Sequence, residues 1–178
     1  MTAFRTSHVV ALAAVLVTVG LAAADHPPAS QHHDGTTTVQ VAGSGMDFLN
    51  TAMVHSKVFT PTGLIQKSTE IVELHGDLNG RVLYHVTSVF DFVRGTLVNT
   101  GDQVYSGTIF GSAPVMIHDD QFRFDVNLVT GEESGQVFLF DHIAGPKVRC
   151  TLDVTGTGVN GDGNPLFDYR GRCTFRGQ

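Results

Sequence analysis

Three side chains in one stretch of the sequence have types suited to acid–base chemistry: Glu73, His75 and His85. A carboxylate beside two imidazoles can accept and return a proton near neutral pH. Glu73 and His75 are two positions apart, so on an extended strand they share a face. A hairpin whose opposed residue numbers sum to about 156 sets Ile71 opposite His85 and Glu73 opposite Leu83, which brings His85 to that same side. Inside a barrel, such a group would suit an isomerase or cyclase. The same spacing also fits a solvent face, with Val72, Leu74, Tyr84 and Val86 on the buried one. The direction of Glu73 decides between the two.

Other polar motifs point to less. His118-Asp119-Asp120 reads as a solvated turn. Asn160-Gly161-Asp162-Gly163-Asn164 starts like a calcium loop but has one carboxylate, and Gly171 stands where the closing Glu belongs. His26, His32 and His33, beside Asp25 and Asp34, lie in a stretch without apolar period and read as a solvated tail. The His-Glu-x-x-His, Gly-x-Ser-x-Gly, phosphate-loop and dinucleotide patterns are absent. No metal or cofactor is expected.

The elements that must position these residues follow from composition and pattern. The chain has 178 residues, 11 Lys and Arg against 17 Asp and Glu, and a formal net charge of −6. With 42% apolar residues it can bury a core. The acidity excludes a nucleic-acid partner, which needs a basic face. Twenty Gly and twelve Phe among β-branched runs indicate an all-β chain. Residues 1–24 have the form of a signal peptide: Arg5, an apolar run from Val9 to Leu21, then Ala22-Ala23-Ala24 before a cleavage point at Asp25. The run is too short for the roughly 20 residues of a membrane span. Export is therefore expected, with no membrane span in the mature chain. Residues 25–35 form a flexible tail, and 36–178 the folded domain.

Turn signals recur from Thr36 onward, and no long helical period appears. The expectation is a single antiparallel β-barrel of about eight strands, with a β-sandwich as the alternative. At most one short helix is expected, over Met46–Met53, with Phe48, Leu49, Ala52 and Met53 on one face and Ser44 with Asp47 as its cap. Turns are expected at Gly76–Gly80, where Asn79-Gly80 is a hairpin signal, and at Thr100-Gly101-Asp102. Phe122, Phe124, Val126 and Leu128 share one face of a strand. Val137-Phe138-Leu139-Phe140 is apolar on both faces, which suits a covered strand or a homo-oligomer interface.

The last hairpin is the most constrained. With Gly161-Asp162 at its centre, Cys150 faces Cys173, Val148 faces Phe175, Leu152 faces Gly171, Val154 faces Tyr169 and Gly156 faces Phe167. On the other side Asp153 meets Arg170. Cysteines meet, opposite charges meet, and large side chains lie across from glycines. A Cys150–Cys173 disulfide is expected, in keeping with export.

Gly156-Thr157-Gly158 followed by Phe167-Asp168-Tyr169-Arg170-Gly171 resembles the ending of dirigent-like and allene-oxide-cyclase-like barrels. The Gly-punctuated strands from about Ser68 to Phe175 are also similar, though the turn here is longer. The resemblance implies an eight-stranded barrel with an apolar cavity that guides coupling or cyclisation largely by shape. No catalytic residue of either family maps onto this sequence. The absence of Trp removes lipocalin- and avidin-type barrels. The expected function is binding or steric guidance of a small apolar ligand, with Tyr84, Phe124, Phe167 and Tyr169 as candidate lining residues. The alternatives are a non-catalytic, oligomer-forming structural protein, and a cyclase or isomerase using Glu73, His75 and His85.

Overall fold

The computed structural model describes residues 31–177 apart from Asp34. The expected signal peptide and the tail as far as Ser30 lie outside the described residues. Gln31–His33, assigned above to the tail, pairs as a short strand, β1, with the start of β2 (Thr36–Asp47). The chain continues through β3 (Met53–Phe59), β4 (Gly63–Gly76), β5 (Leu78–Asp91) and β6 (Thr96–Ile109). It ends with β7 (Val115–Asn127), β8 (Glu133–Leu139), β9 (Asp141–Ala144), β10 (Val148–Val159) and β11 (Pro165–Arg176).

The strands close on themselves. Antiparallel neighbours run β2-β11-β10-β8-β7-β6-β5-β4, and β4 returns to pair with β2, making an eight-stranded antiparallel barrel. β3 pairs with β4 from Leu64 to Thr69, beyond the stretch that pairs with β2, and β9 continues the pairing of β7. In place of the expected helix over Met46–Met53 there is one 3-10 turn, Leu49–Thr51, without a side-chain cap. Asp47 does not cap it, because β2 runs on to that residue and its alternation turns the side chain into the barrel.

The closing seam is short and pinned at one end. Gly43 to Asp47 pair with Gly76 to Val72. Asp77, alone between β4 and β5, accepts the Ala42 N–H on its carboxylate at 2.8 Å and donates its own N–H to the Ala42 carbonyl at 3.1 Å. Tyr169 reaches the same turn from β11. Its hydroxyl accepts the Leu78 N–H at 2.7 Å and lies 3.1 Å from the carbonyl oxygens of His75 and Leu78. To get there the ring passes over Gly43, where a Cβ would collide with the hydroxyl.

Three turn expectations change. The β4–β5 hairpin is centred on Asp77, so Ile71 faces Leu83 and Glu73 faces Arg81; Asn79-Gly80 lies within β5. The register moves by two residues, so the faces stay as predicted. The chain turns at Phe92–Gly95, not at Thr100–Asp102: Asp91 Oδ1 accepts the N–H groups of Val93 and Arg94 at 3.0 and 2.9 Å, and Gly95 takes a φ of 66°. Thr100-Gly101-Asp102 instead lies in β6, where a bulge sets Gly101 and Gln103 opposite Phe122 and Asp119.

The bulge also corrects the reading of His118-Asp119-Asp120 as a solvated turn. Asp119 is 1% exposed within β7. Its carboxylate accepts the Gln103 side-chain N–H at 2.8 Å, the Phe138 N–H at 2.8 Å and the Gln121 N–H at 2.7 Å. β8 pairs with β7 only as far as Gln136, so the Asp119 carboxylate supplies the acceptor that Phe138 lacks.

The β10–β11 register matches expectation from Val148↔Phe175 through Cys150↔Cys173 to Gly156↔Phe167. Beyond it a bulge shifts the pairing, and the loop is Asn160–Asn164. The Asn160 side-chain oxygen accepts the N–H groups of Asp162 and Asn164, each at 2.9 Å. Cys150 and Cys173 form a fully buried disulfide with a Cα–Cα distance of 4.1 Å. A disulfide, with no helix among the described residues long and apolar enough to cross a membrane, fits an extracytoplasmic protein.

Tyr169→Phe removes the acceptor of the buried Leu78 N–H and should lower stability by about 1–3 kcal/mol. Urea denaturation of the two proteins measures this; an unchanged midpoint would show that the hydroxyl does not hold the seam.

Candidate functional site

The barrel interior is filled at one end and hollow at the other. At the end where β5, β7 and β10 begin, Leu78, Ile109, Ile117 and Val148 are buried beside the disulfide. Toward the opposite end, between Phe90, Leu97, Val126 and Pro165, lies a cavity of about 360 Å³. That volume falls within the range of small-ligand sites.

Its wall is mostly apolar and partly aromatic. Tyr84 meets Phe122 edge to face, with centroids 6.0 Å apart, and Phe122 meets Phe124 at 5.8 Å. Phe124 folds over Gly135 of β8, where any Cβ would strike the ring. All four ligand candidates from the sequence, Tyr84, Phe124, Phe167 and Tyr169, line the cavity. The connections at the open end carry exposed apolar side chains: Phe59, Phe92, Val93, Val129 and Val159.

Set into this wall is a group of acids. Asp47 comes from the end of β2, Glu70 from β4 and Glu133 from the start of β8. The Tyr84 hydroxyl lies 2.6 Å from Asp47 Oδ2 and 2.8 Å from Glu70 Oε2. Ser68 donates its hydroxyl to Glu70 Oε1 at 2.5 Å. A phenol has one proton, so it satisfies one carboxylate, and the second short contact needs a proton on the other carboxyl. Below about pH 7 Asp47 holds it. Burial, with the negative charges of Glu70 and Glu133 adding to it, outweighs the Tyr84 hydrogen bond and pushes the Asp47 pKa up to about 7. Burial also raises Glu133. Burial and the two neighbouring carboxylates hold Tyr84 firmly as the neutral phenol. Asp47 Oδ1 and Asn99 Oδ1 are buried without a hydrogen-bond partner among the described residues.

The acid–base candidates from the sequence lie elsewhere. Glu70, Val72 and Leu74 line the cavity, so Glu73 and His75 alternate to the outer wall of β4. Glu73 lies 4.0 Å from Arg81, and His75 is exposed. His85, its side chain 57% exposed, sets Nδ1 3.0 Å from Asp102 on the outside of the barrel. His118 flanks the same Asp102 at 4.0 Å, and its other ring nitrogen is 3.7 Å from Asp141. The catalytic group proposed for Glu73, His75 and His85 therefore does not form inside the barrel: strand alternation turns all three to solvent.

Sequence reasoning missed Asp47, Glu70 and Glu133. For Glu70 a signal existed: it interrupts the stripe Ser68, Val72, Leu74 that faces inward. Asp47 was hidden because the sequence placed it before a helix. Glu133 follows a turn, where an acid is ordinary.

No family model, curated protein or solved structure matches this chain. The site's chemistry rests on its own residues.

The Asp47 shift carries a stability cost with a defined sign. Its pKa is higher in the folded chain than the ordinary Asp value of 3.8, so the folded state binds the proton more tightly. Its contribution to stability is fully present below about pH 4 and is lost as pH rises through about 7. Asp47→Asn should be more stable than the parent at about pH 8, by at least about 1.4 kcal/mol, the worth of one pKa unit. The gain should vanish at about pH 4. Denaturant titrations of both proteins across this range check it; parallel curves would contradict it.

Proposed function

We propose that this protein holds one small, largely apolar molecule inside its barrel, in an extracytoplasmic compartment. The observation that carries the reading is the cavity of about 360 Å³, open at one end and walled by Val, Leu and Phe side chains. A core serving stability alone would be filled, since each void forfeits packing energy. The packed end of the same barrel shows that the sequence can fill its interior. That contrast favours binding over a structural role with a solid core. Phe138 and Phe140, partly buried on the outer face, leave room for a homo-oligomer without requiring one.

Steric guidance of a reaction, as the dirigent-like and allene-oxide-cyclase-like resemblance implies, is the enzymatic version of the same reading. It would act on an apolar substrate through the shape of this cavity. Export by the N-terminal segment, with cleavage near Ala24, completes the proposal.

The dye N-phenyl-1-naphthylamine, which fluoresces in apolar surroundings, should bind with one molecule per chain. Val86→Trp, projecting into the cavity, should weaken binding by at least about tenfold, a loss of about 1.4 kcal/mol. Thr87→Trp on the neighbouring outer position should leave it unchanged. No saturable binding, or equal binding by both variants, would overturn the reading.

A further inference from the structure

The charged side chains that line the cavity are all acidic. Asp47, Glu70 and Glu133 bring six carboxylate oxygens to one cavity. Among the described residues these acids accept side-chain hydrogen bonds from the Tyr84 and Ser68 hydroxyls, while Gln66, Ser88 and Asn99 add neutral amide and hydroxyl groups to the same wall. No Lys, Arg or His is among the described residues that line the cavity. Asn99 adds a further buried carbonyl oxygen without a partner, and Asp47 Oδ1 is left in the same state. Buried polar atoms are normally satisfied, and each one left alone costs about 1–3 kcal/mol. The missing partner is thus a donor, and a positively charged one answers the carboxylates best.

We propose that the occupant of the cavity is an organic amine: an ammonium head set among Asp47, Glu70 and Glu133, on an apolar body packed against Phe122, Phe124 and Val126. This rests on the binding reading above and adds the chemical class of the ligand. An organic ammonium fits better than a metal ion, because no three or more His, Cys, Asp or Glu among the described residues are arranged to hold one. A carboxylate-bearing ligand is repelled by the same acids, and a neutral alcohol supplies one donor where an ammonium supplies three.

The acids also give the site a pH response. The groups facing Asp47 are Glu70 from β4, Tyr84 from β5 and Glu133 from β8. An ammonium stabilises the ionised carboxylates, so amine binding should release the proton that Asp47 holds below about pH 7.

Three probes of one size separate the outcomes: 4-phenylbutylamine, 4-phenylbutan-1-ol and 4-phenylbutanoate, titrated by calorimetry at about pH 8. The amine should bind about ten- to a hundredfold tighter than the alcohol, as expected for charge-assisted hydrogen bonds, and the carboxylate weakest. In Asp47→Asn with Glu70→Gln the amine and alcohol should bind within about twofold of each other. These changes remove buried charge, so the variant is expected to fold. The unsubstituted protein gives an independent arm: amine preference should fall several-fold between about pH 8 and pH 5 as Asp47 takes up its proton. If the alcohol binds as well as the amine, the amine assignment is overturned and the binding reading stands. If no probe binds while the naphthylamine dye does, the assignment is likewise overturned. If neither the probes nor the dye bind, the binding reading itself fails.

Discussion

Closure of the sheet depends on the β2–β4 seam, where five residues on each side pair. The other neighbours in the ring are consecutive strands, except β8 and β10, which β9 separates, and β2 and β11, which come from the two ends of the barrel sequence. The seam joins an early strand to the β4–β5 turn, and Asp77 and Tyr169 fasten it there. Tyr169 can do so because Gly43 leaves its ring a path across β2. A methyl group at Gly43 would meet both the His75 carbonyl oxygen and the Tyr169 hydroxyl. A sheet left open there would present unpaired backbone on two edges, a hazard that closure removes.

Closure creates an inside, and the two halves of that inside are treated differently. One half is packed with Leu78, Ile109 and Ile117 and stapled by Cys150–Cys173. The other is hollow and carries acids that oppose folding near neutral pH. Buried, mutually repelling carboxylates are poor building material, and groups with shifted pKa values gather at functional sites. The packed half supplies the stability against which the acidic half can be maintained.

The strand pattern made much of this legible. The cysteines, the Asp153–Arg170 opposition and the glycines facing Leu152 and Phe167 all agree on one register, and the β10–β11 hairpin has it as far as Gly156. The faces of β4 and β5 were also legible, since an even register shift preserves them. Turn centres were less so. Gly101 looks like a turn residue but serves a bulge, while Asp91 makes a turn through its side chain where no Gly, Pro or Asn follows it before Gly95. The acidic group was hidden for a different reason: Asp47, Glu70 and Glu133 come from three separate strands, and only closure brings them together. Glu73, His75 and His85 drew notice because they lie near one another in sequence, yet alternation sends them outward.

Closure buries an acidic group inside a hollow half-barrel, and this burial governs how Asp47 titrates. It is tested most directly by carbon-13 NMR titration of the Asp side-chain carboxyls, with Asp47→Asn to assign the resonance. One Asp carboxyl, that of Asp47, should titrate at about 7, well above the ordinary Asp value of 3.8. An Asp47 resonance that titrates with the exposed carboxylates, at about 4, would contradict it.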